Sequence, residues 1–201
     1  ESDIRRGIPS FDIVGLSDSQ VKELRERIPV AIRNSSIDFP DERVLLSLSP
    51  ADLRKDRNSF DLSIAISIIT SNEKKELPYD TLVMGELEFS GNIRQVIGIY
   101  ASVKTALSKG IKNFIIPGKN YNEVKEIQGI RILKADNLSE VYSKMYDEEN
   151  YLETVPDTEK EISDHEEEVN GIVFNNQYYE ESSYDLKRMN PRLLKALVIA
   201  I

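Results

Sequence analysis

FDLSIAISII, residues 60–69, carries large apolar side chains on almost every side of a helix. These are Phe60, Leu62, Ile64, Ile66, Ile68 and Ile69. A helix that is apolar all round belongs inside a protein, because none of its faces is suited to water. The stretch therefore predicts a buried central helix, around which the rest of the chain is arranged.

On the N-terminal side of this stretch, the pattern predicts one helix and one strand. Ser17 and Gln20 have the spacing of a capping box, in which each side chain bonds a free backbone N–H at a helix start. Apolar residues then follow at helical spacing: Val21, Leu24, Ile28 and Ile32. Residues 44–49 are typical of a buried strand.

On the C-terminal side, residues 82–88 and 93–97 predict the two strands of a hairpin. The intervening FSGN contains Gly and Asn, which tolerate the positive φ of a tight turn. Beyond the hairpin we predict a helix at 99–108 that ends at Gly110, a strand at 113–116, a helix at 120–127, a strand at 130–133 and a helix at 138–146. This alternation predicts an α/β fold, in the form of an α+β sandwich with helices packed on a mixed sheet.

The net charge of −9 is concentrated in one short segment. Residues 147–168 contain eleven acidic residues and one basic residue, whereas residues 1–146 contain 21 of each. A segment with high net charge and few apolar side chains cannot bury enough surface to offset its chain entropy. We therefore predict a domain at residues 1–146, an acidic linker at 147–171 and the start of another module at 172–201.

The composition argues against several kinds of site. Without cysteine there is no disulfide, thiolate metal site or cysteine nucleophile, which fits a reducing compartment such as the cytoplasm. The single histidine, His165, lies in the acidic segment, so neither a Ser-His-Asp triad nor a multi-histidine metal site is expected. No apolar run approaches the roughly 18 residues of a membrane span. Since the sequence opens at Glu1 and closes on an apolar run, we expect it to be part of a longer protein.

Five segments match one known family as they stand. They are PSFDIVGL at 9–16, VKELRER at 21–27, SPADLRKD at 49–56, FDLSIAI at 60–66 and MGELEFSG at 84–91. Together, they resemble the N-terminal domain of the ComM/YifB proteins, which are magnesium-chelatase-related AAA+ ATPases. The resemblance implies a Lon-protease-like fold. It also implies that the first strand is missing here, because the family begins with a strand ahead of the position of Ile4.

The C-terminal end of the chain fits the same family. The residues around Arg192 and Lys195 resemble the helix that opens the AAA+ module, ahead of a phosphate loop of the form Gly-x-x-x-x-Gly-Lys-Ser/Thr. Because these 201 residues do not contain that loop, the resemblance implies ATP and Mg2+ for the full-length protein and no cofactor for this chain. It further implies a ring-shaped homo-oligomer that acts on DNA and has no membrane partner.

A Lon-like fold raises the question of a Ser-Lys peptidase. In Lon the nucleophile lies four residues after a lysine, at a helix start, and Ser59 has that spacing from Lys55. Aligning on the hairpin motif places Tyr100 where the lysine base should stand, with Lys104 one helical turn further on. Without a base, a serine hydroxyl is a weak nucleophile. We therefore predict no catalytic residue, and we interpret Ser59 as the N-cap of the central helix.

Basic residues in the loop before the central helix are the candidates for nucleic-acid binding. Arg54, Lys55 and Arg57 cluster there, and Arg5 and Arg6 lie near the start of the chain. Contacts between these side chains and phosphates would be steeply salt dependent. The alternative is a solvated loop, because residues 1–146 are neutral overall.

Acidic residues of the domain do not predict a metal site. Glu86 and Glu88 alternate along one strand and so share a face, but no histidine or third carboxylate accompanies them. Asp61 stands at the start of the central helix, where we interpret it as a first-turn carboxylate favoured by the helix dipole.

These observations lead us to expect a non-catalytic N-terminal domain of a ComM/YifB-type AAA+ ATPase. The full-length protein would be a DNA-remodelling, branch-migration motor in which this domain engages substrate or organises subunits. One alternative is a Lon-type Ser-Lys peptidase domain, against which Tyr100 argues. The other is a magnesium-chelatase-like subunit, which only the family label suggests.

Overall fold

Helices and strands alternate along the chain, as predicted. The computed structural model describes residues 1–48 and 59–154. The helices in this part are α1 (Asp18–Asn34), α2 (Asp61–Glu73), α3 (Ile99–Ser108), α4 (Tyr121–Val124) and α5 (Leu138–Lys144). The strands are β1 (Ser2–Arg5), β2 (Ser10–Val14), β3 (Arg43–Ser47), β4 (Thr81–Val83), β5 (Glu86–Leu87), β6 (Ile93–Arg94), β7 (Asn113–Pro117), β8 (Arg131–Ala135) and β9 (Leu152–Glu153).

The two most specific helix predictions are confirmed. The side chains of α2 are buried from Asp61 through Ile66 and again at Ile68 and Ile69, so the apolar stretch does form a central helix. Helix α1 begins with the predicted capping box, and Gln20 Oε1 accepts a hydrogen bond from the Ser17 N–H at 3.4 Å. None of the helices in the described residues is long and apolar enough to span a membrane.

The strands form two mixed sheets and a small hairpin. In the first sheet the order is β1-β3-β2, with β1 antiparallel and β2 parallel to β3. In the second sheet the order is β4-β7-β8-β9, with β9 antiparallel to an otherwise parallel set. Within residues 1–48 and 59–154, strands β5 and β6 pair only with each other. The predicted α/β class with mixed strands is therefore confirmed, although the strands do not share a single sheet.

The predicted hairpin strand at 82–88 is wrong in one respect, because the chain leaves the sheet at Gly85. There the Gly85 N–H donates to the Ser59 carbonyl oxygen at 2.8 Å, and the Gly85 carbonyl oxygen accepts from the Leu62 N–H at 3.0 Å. These bonds tie the backbone to the start of α2 and end β4 before β5 begins. A Cβ at this position would lie 2.9 Å from side-chain atoms of both Leu62 and Ile93. The absence of a side chain lets the backbone approach the helix this closely.

The second sheet separates two apolar cores. Side chains alternate across a strand, so Phe114 and Ile116 face α3 and α4, whereas Ile115 lies in the core that contains α1, α2 and α5. The same alternation divides Ile132 from Leu133 on β8. Because both faces of this sheet are covered, its central strands β7 and β8 each contain consecutive buried apolar residues.

The folded domain extends beyond the predicted boundary at residue 146. Strand β9 pairs with β8, and Tyr151 is only 4% exposed, with its hydroxyl donating to the Met145 carbonyl oxygen at 3.0 Å. Residues 147–154, which were predicted to open the linker, therefore pack on the domain. The rest of the predicted linker and the predicted AAA+ start at 172–201 lie outside the described residues.

Candidate functional site

Ser59 lies in the turn directly before α2, which is where the Lon comparison places a nucleophile. The N-cap of α2 is Phe60, so the interpretation of Ser59 as the N-cap is wrong. Phe60 is buried in the core, and this anchors the first helical turn one residue beyond the serine. The hydroxyl that bonds to this turn belongs to Ser63, which donates to the Phe60 carbonyl oxygen at 2.6 Å.

Asp61, two residues after Ser59, forms a buried ion pair with Arg27. Its side chain is fully buried, and its Oδ2 accepts from Arg27 Nη1 at 2.7 Å and from the Leu87 N–H at 3.3 Å. Arg27 is itself nearly buried, and its second terminal nitrogen contacts the Glu23 carboxylate on the preceding turn of α1. One carboxylate thus joins α1, α2 and β5 around the start of the central helix.

Burial controls the electrostatics of Asp61. Loss of water raises the pKa of this carboxyl from 3.8 to about 6, although Arg27 and the Leu87 N–H act in the opposite direction. The second oxygen, Oδ1, is buried and has no hydrogen-bond partner among the described residues. Asp61 is in the first turn of the helix, as predicted, but its principal contact is with Arg27 rather than with the helix dipole.

The two residues at and after the Lon lysine position lie on α3. Tyr100 is in the first turn of this helix with 52% of its surface exposed, and Lys104 is exposed one turn further on. Neither side chain forms a hydrogen bond or ion pair with Ser59 within residues 1–48 and 59–154. The geometry around Ser59 therefore offers this hydroxyl no base from α3.

The predicted basic residues lie only partly within the described structure. Arg54, Lys55 and Arg57 lie outside the described residues. Arg5 is the last residue of β1, opposite Arg43 on β3, and pairs with Asp3 at 2.5 Å. Arg6 follows it directly and is exposed.

Glu86 and Glu88 share a face, as predicted, and both interact with Arg94. Arg94 Nε lies 2.6 Å from Glu88 Oε1, and Arg94 Nη1 lies 3.7 Å from Glu86 Oε1. The hydrogen bond from Arg94 lowers the pKa of Glu88. In the part of the chain that the structure describes, no group of three or more Asp, Glu, His or Cys is arranged to hold a metal ion.

Comparison with known proteins places the chain in a family. The family model described as subunit ChlI of Mg-chelatase matches residues 1–120. The chain belongs to this family. Family members similar to it include YifB of Escherichia coli, with 38% identity over 144 residues, which is 70% of this chain and 28% of that protein. The competence protein ComM of Haemophilus influenzae is 31% identical over 143 residues, or 70% of this chain and 28% of ComM. These matches confirm the resemblance that the five motifs indicate.

A more distant similarity supports the Lon-like fold. The archaeal Lon protease of Methanocaldococcus jannaschii is 25% identical over 137 residues, which is 68% of this chain and 21% of the protease. The match and the mixed α/β architecture agree with the predicted fold. The chain spans less than a third of the length of any of these relatives.

The sequence analysis did not find the Arg27–Asp61 pair, although a signal was present. Arg27 falls on the apolar face of α1, three residues after Leu24 and four before Ala31, both of which are buried. A charged residue on such a face needs a buried partner. Asp61 lies in a helix that is apolar all round, so its carboxylate also needs a buried partner of opposite charge.

Proposed function

We propose that this chain is the non-catalytic N-terminal domain of a ComM/YifB-type AAA+ ATPase that remodels DNA. In the whole protein, a ring-shaped homo-oligomer, the domain engages the DNA or organises the subunits, while ATP and Mg2+ act in the module that follows. Membership of the family, together with the similarity to a competence protein, supports the motor assignment.

The non-catalytic role is supported chiefly by the side chains that stand where a Ser-Lys peptidase would need a base for Ser59. A Ser-Lys peptidase needs a lysine to take the serine proton, and Tyr100 stands at that position on α3, half exposed and without a hydrogen bond to Ser59 among the described residues. The nearest buried carboxylate, Asp61, is held by Arg27. The contacts of Asp61 with Arg27 and Leu87 join α1, α2 and β5, and they support a structural role for this region.

The motor assignment is tested with the whole protein and a labelled four-way DNA junction. We expect ATP hydrolysis to increase when the junction is added, and we expect ATP to drive the branch point along the DNA. A non-hydrolysable ATP analogue is the control and should leave the junction in place. Deletion of residues 1–154 should lower the stimulation by DNA while leaving the basal hydrolysis measurable. If the rate of ATP hydrolysis is the same with and without DNA and the branch point does not move, the proposal fails.

The peptidase alternative has a specific observation in its favour, the similarity to archaeal Lon protease. It is tested by incubating the chain with a serine-reactive phosphonate and locating the adduct by mass spectrometry. We expect no stoichiometric modification of Ser59, and Ser59→Ala should give the same spectrum. Complete labelling at Ser59 would establish the peptidase in place of our assignment.

A further inference from the structure

The charged side chains on the outer face of α3 and in the turn after it are all basic. Residues 99–112, which comprise α3 and the turn after it, contain three lysines and no carboxylate. Lys104, Lys109 and Lys112 are exposed and form no ion pair with the described residues. Other exposed bases have a carboxylate close by in the sequence, as Arg5 has in Asp3 at 2.5 Å. The charge of this face is therefore not compensated by its own helix.

The same face exposes an apolar and an aromatic side chain. Ile97, just before α3, is 77% exposed, and Tyr100 in its first turn is 52% exposed. The helix buries Ile99, Val103 and Ala106 in the second core, which directs Tyr100 and Lys104 outwards. These two side chains are four residues apart, so they are neighbours about 6 Å apart along the helix axis.

Nothing in the described chain covers this surface. A Cβ at Gly98 or Gly110, the glycines at either end of α3, would meet no atom within 4 Å. The neighbouring helix α4 carries Glu123, but its Oε1 accepts from Asn120 Nδ2 at 2.6 Å and from Gln95 Nε2 at 3.5 Å. That carboxylate is occupied close to its own backbone and does not neutralise the lysines.

We propose that the exposed face of α3, from Ile97 to Lys112, binds single-stranded nucleic acid. The lysines would contact phosphates, and release of counterions would supply most of the affinity. Tyr100 and Ile97 would contact bases, which present their faces only where a strand is unpaired. This inference rests on the proposed function, since a motor that moves branch points exposes single strands, and it names the surface and the form of DNA involved.

The test measures binding of a fluorescent oligonucleotide to the 201-residue chain by anisotropy, at several salt concentrations. The variant Lys104→Glu/Lys109→Glu/Lys112→Glu should bind at least tenfold more weakly. The corresponding Lys→Gln variant avoids placing acids at the end of α3, and it should lower the slope of log K against log salt by about 2 for three lost contacts to a single strand. A control of identical net charge is Lys22→Glu/Lys74→Glu/Lys119→Glu, three exposed lysines elsewhere, which should bind within about twofold of the wild type.

Variants of Tyr100 distinguish binding that includes base stacking from binding by attraction between charges alone. Tyr100→Phe should retain binding, whereas Tyr100→Leu should weaken it about tenfold, because base–aromatic stacking requires the ring. Equal losses in the α3 and control variants would overturn the inference, as would competition by poly-glutamate that matches competition by the oligonucleotide. Absence of any oligonucleotide binding by the chain would also overturn it. The motor assignment is tested separately, by whether the whole protein moves the branch point of the junction.

Discussion

Arg27 and Asp61, 34 positions apart in the sequence, form a buried ion pair at 2.7 Å that connects α1 to the first turn of α2. The Leu87 N–H adds β5 to the same carboxylate. The pair lies two residues from Ser59 and directly after the loop that carries Arg54, Lys55 and Arg57. The pair therefore fixes the position of the first turn of α2 against α1 and β5.

Loss of Arg27 should destabilise the domain strongly. In Arg27→Met the buried Asp61 carboxyl loses its charged partner, and breaking a buried pair in this way typically costs about 3–5 kcal/mol in the free energy of unfolding. Urea denaturation measures this change. The double variant Arg27→Met/Asp61→Asn should recover part of the loss, because no ionisable group is then left in the core without its partner. Arg25→Met removes a half-exposed partner of Asp12 and should cost less than 1 kcal/mol. Equal losses for the two single arginine variants would show that the pair is not structurally important.

Asp61 should make stability depend on pH in an unusual direction. Burial raises its pKa from 3.8 to about 6, so the native state binds the proton more tightly than the unfolded state does. The contribution of this group to stability therefore rises as the pH falls from above 6 to below 4, by roughly 3 kcal/mol. Between pH 7 and pH 4, where most of this change falls, the free energy of unfolding of the wild type should increase by about 2 kcal/mol relative to Asp61→Asn. Parallel pH profiles for the two proteins would contradict the assignment.

Gly85 should not tolerate a side chain. A Cβ would lie 2.9 Å from atoms of Leu62 and Ile93, so Gly85→Ala forces either the hairpin or the helix to move, at a cost of about 1–3 kcal/mol. Thermal unfolding followed by circular dichroism measures the effect. Gly7→Ala is the matched control, since its Cβ would have a single contact at 3.8 Å, and its melting temperature should be close to that of the wild type. Wild-type stability in Gly85→Ala would mean that the approach to α2 is looser than described.

The segment after residue 146 should contribute measurably to stability. Tyr151 is buried beside β4 and α5, so Tyr151→Ala removes a large core side chain and should cost about 3 kcal/mol in urea denaturation. Leu152→Ala, next to it but 45% exposed, should cost less than 1 kcal/mol. If both changes are neutral, the domain ends at the boundary that the charge pattern predicts.

Patterns within a few residues explain which predictions were confirmed. The apolar stretch at 60–69, the capping box at Ser17 and the helix at 99–108 depend on periodicity or on bonds between near neighbours, so each can be read locally. The family motifs likewise identify the chain from short segments. The predictions that failed concern Gly85, Ser59 and the boundary at residue 146, and each depends on a partner distant in sequence.

The sequence by itself therefore determined the central helix, the alternation of elements, the family and the concentration of acidic charge after residue 146. Only the tertiary structure decided that Gly85 breaks a strand against α2, that Asp61 is paired with Arg27, and that the first eight residues of the acidic segment pack on the sheet. The reason is physical. Periodicity records which side of an element avoids water, but the free energy of a buried charge or a close backbone approach depends on atoms that folding brings together from separate parts of the chain.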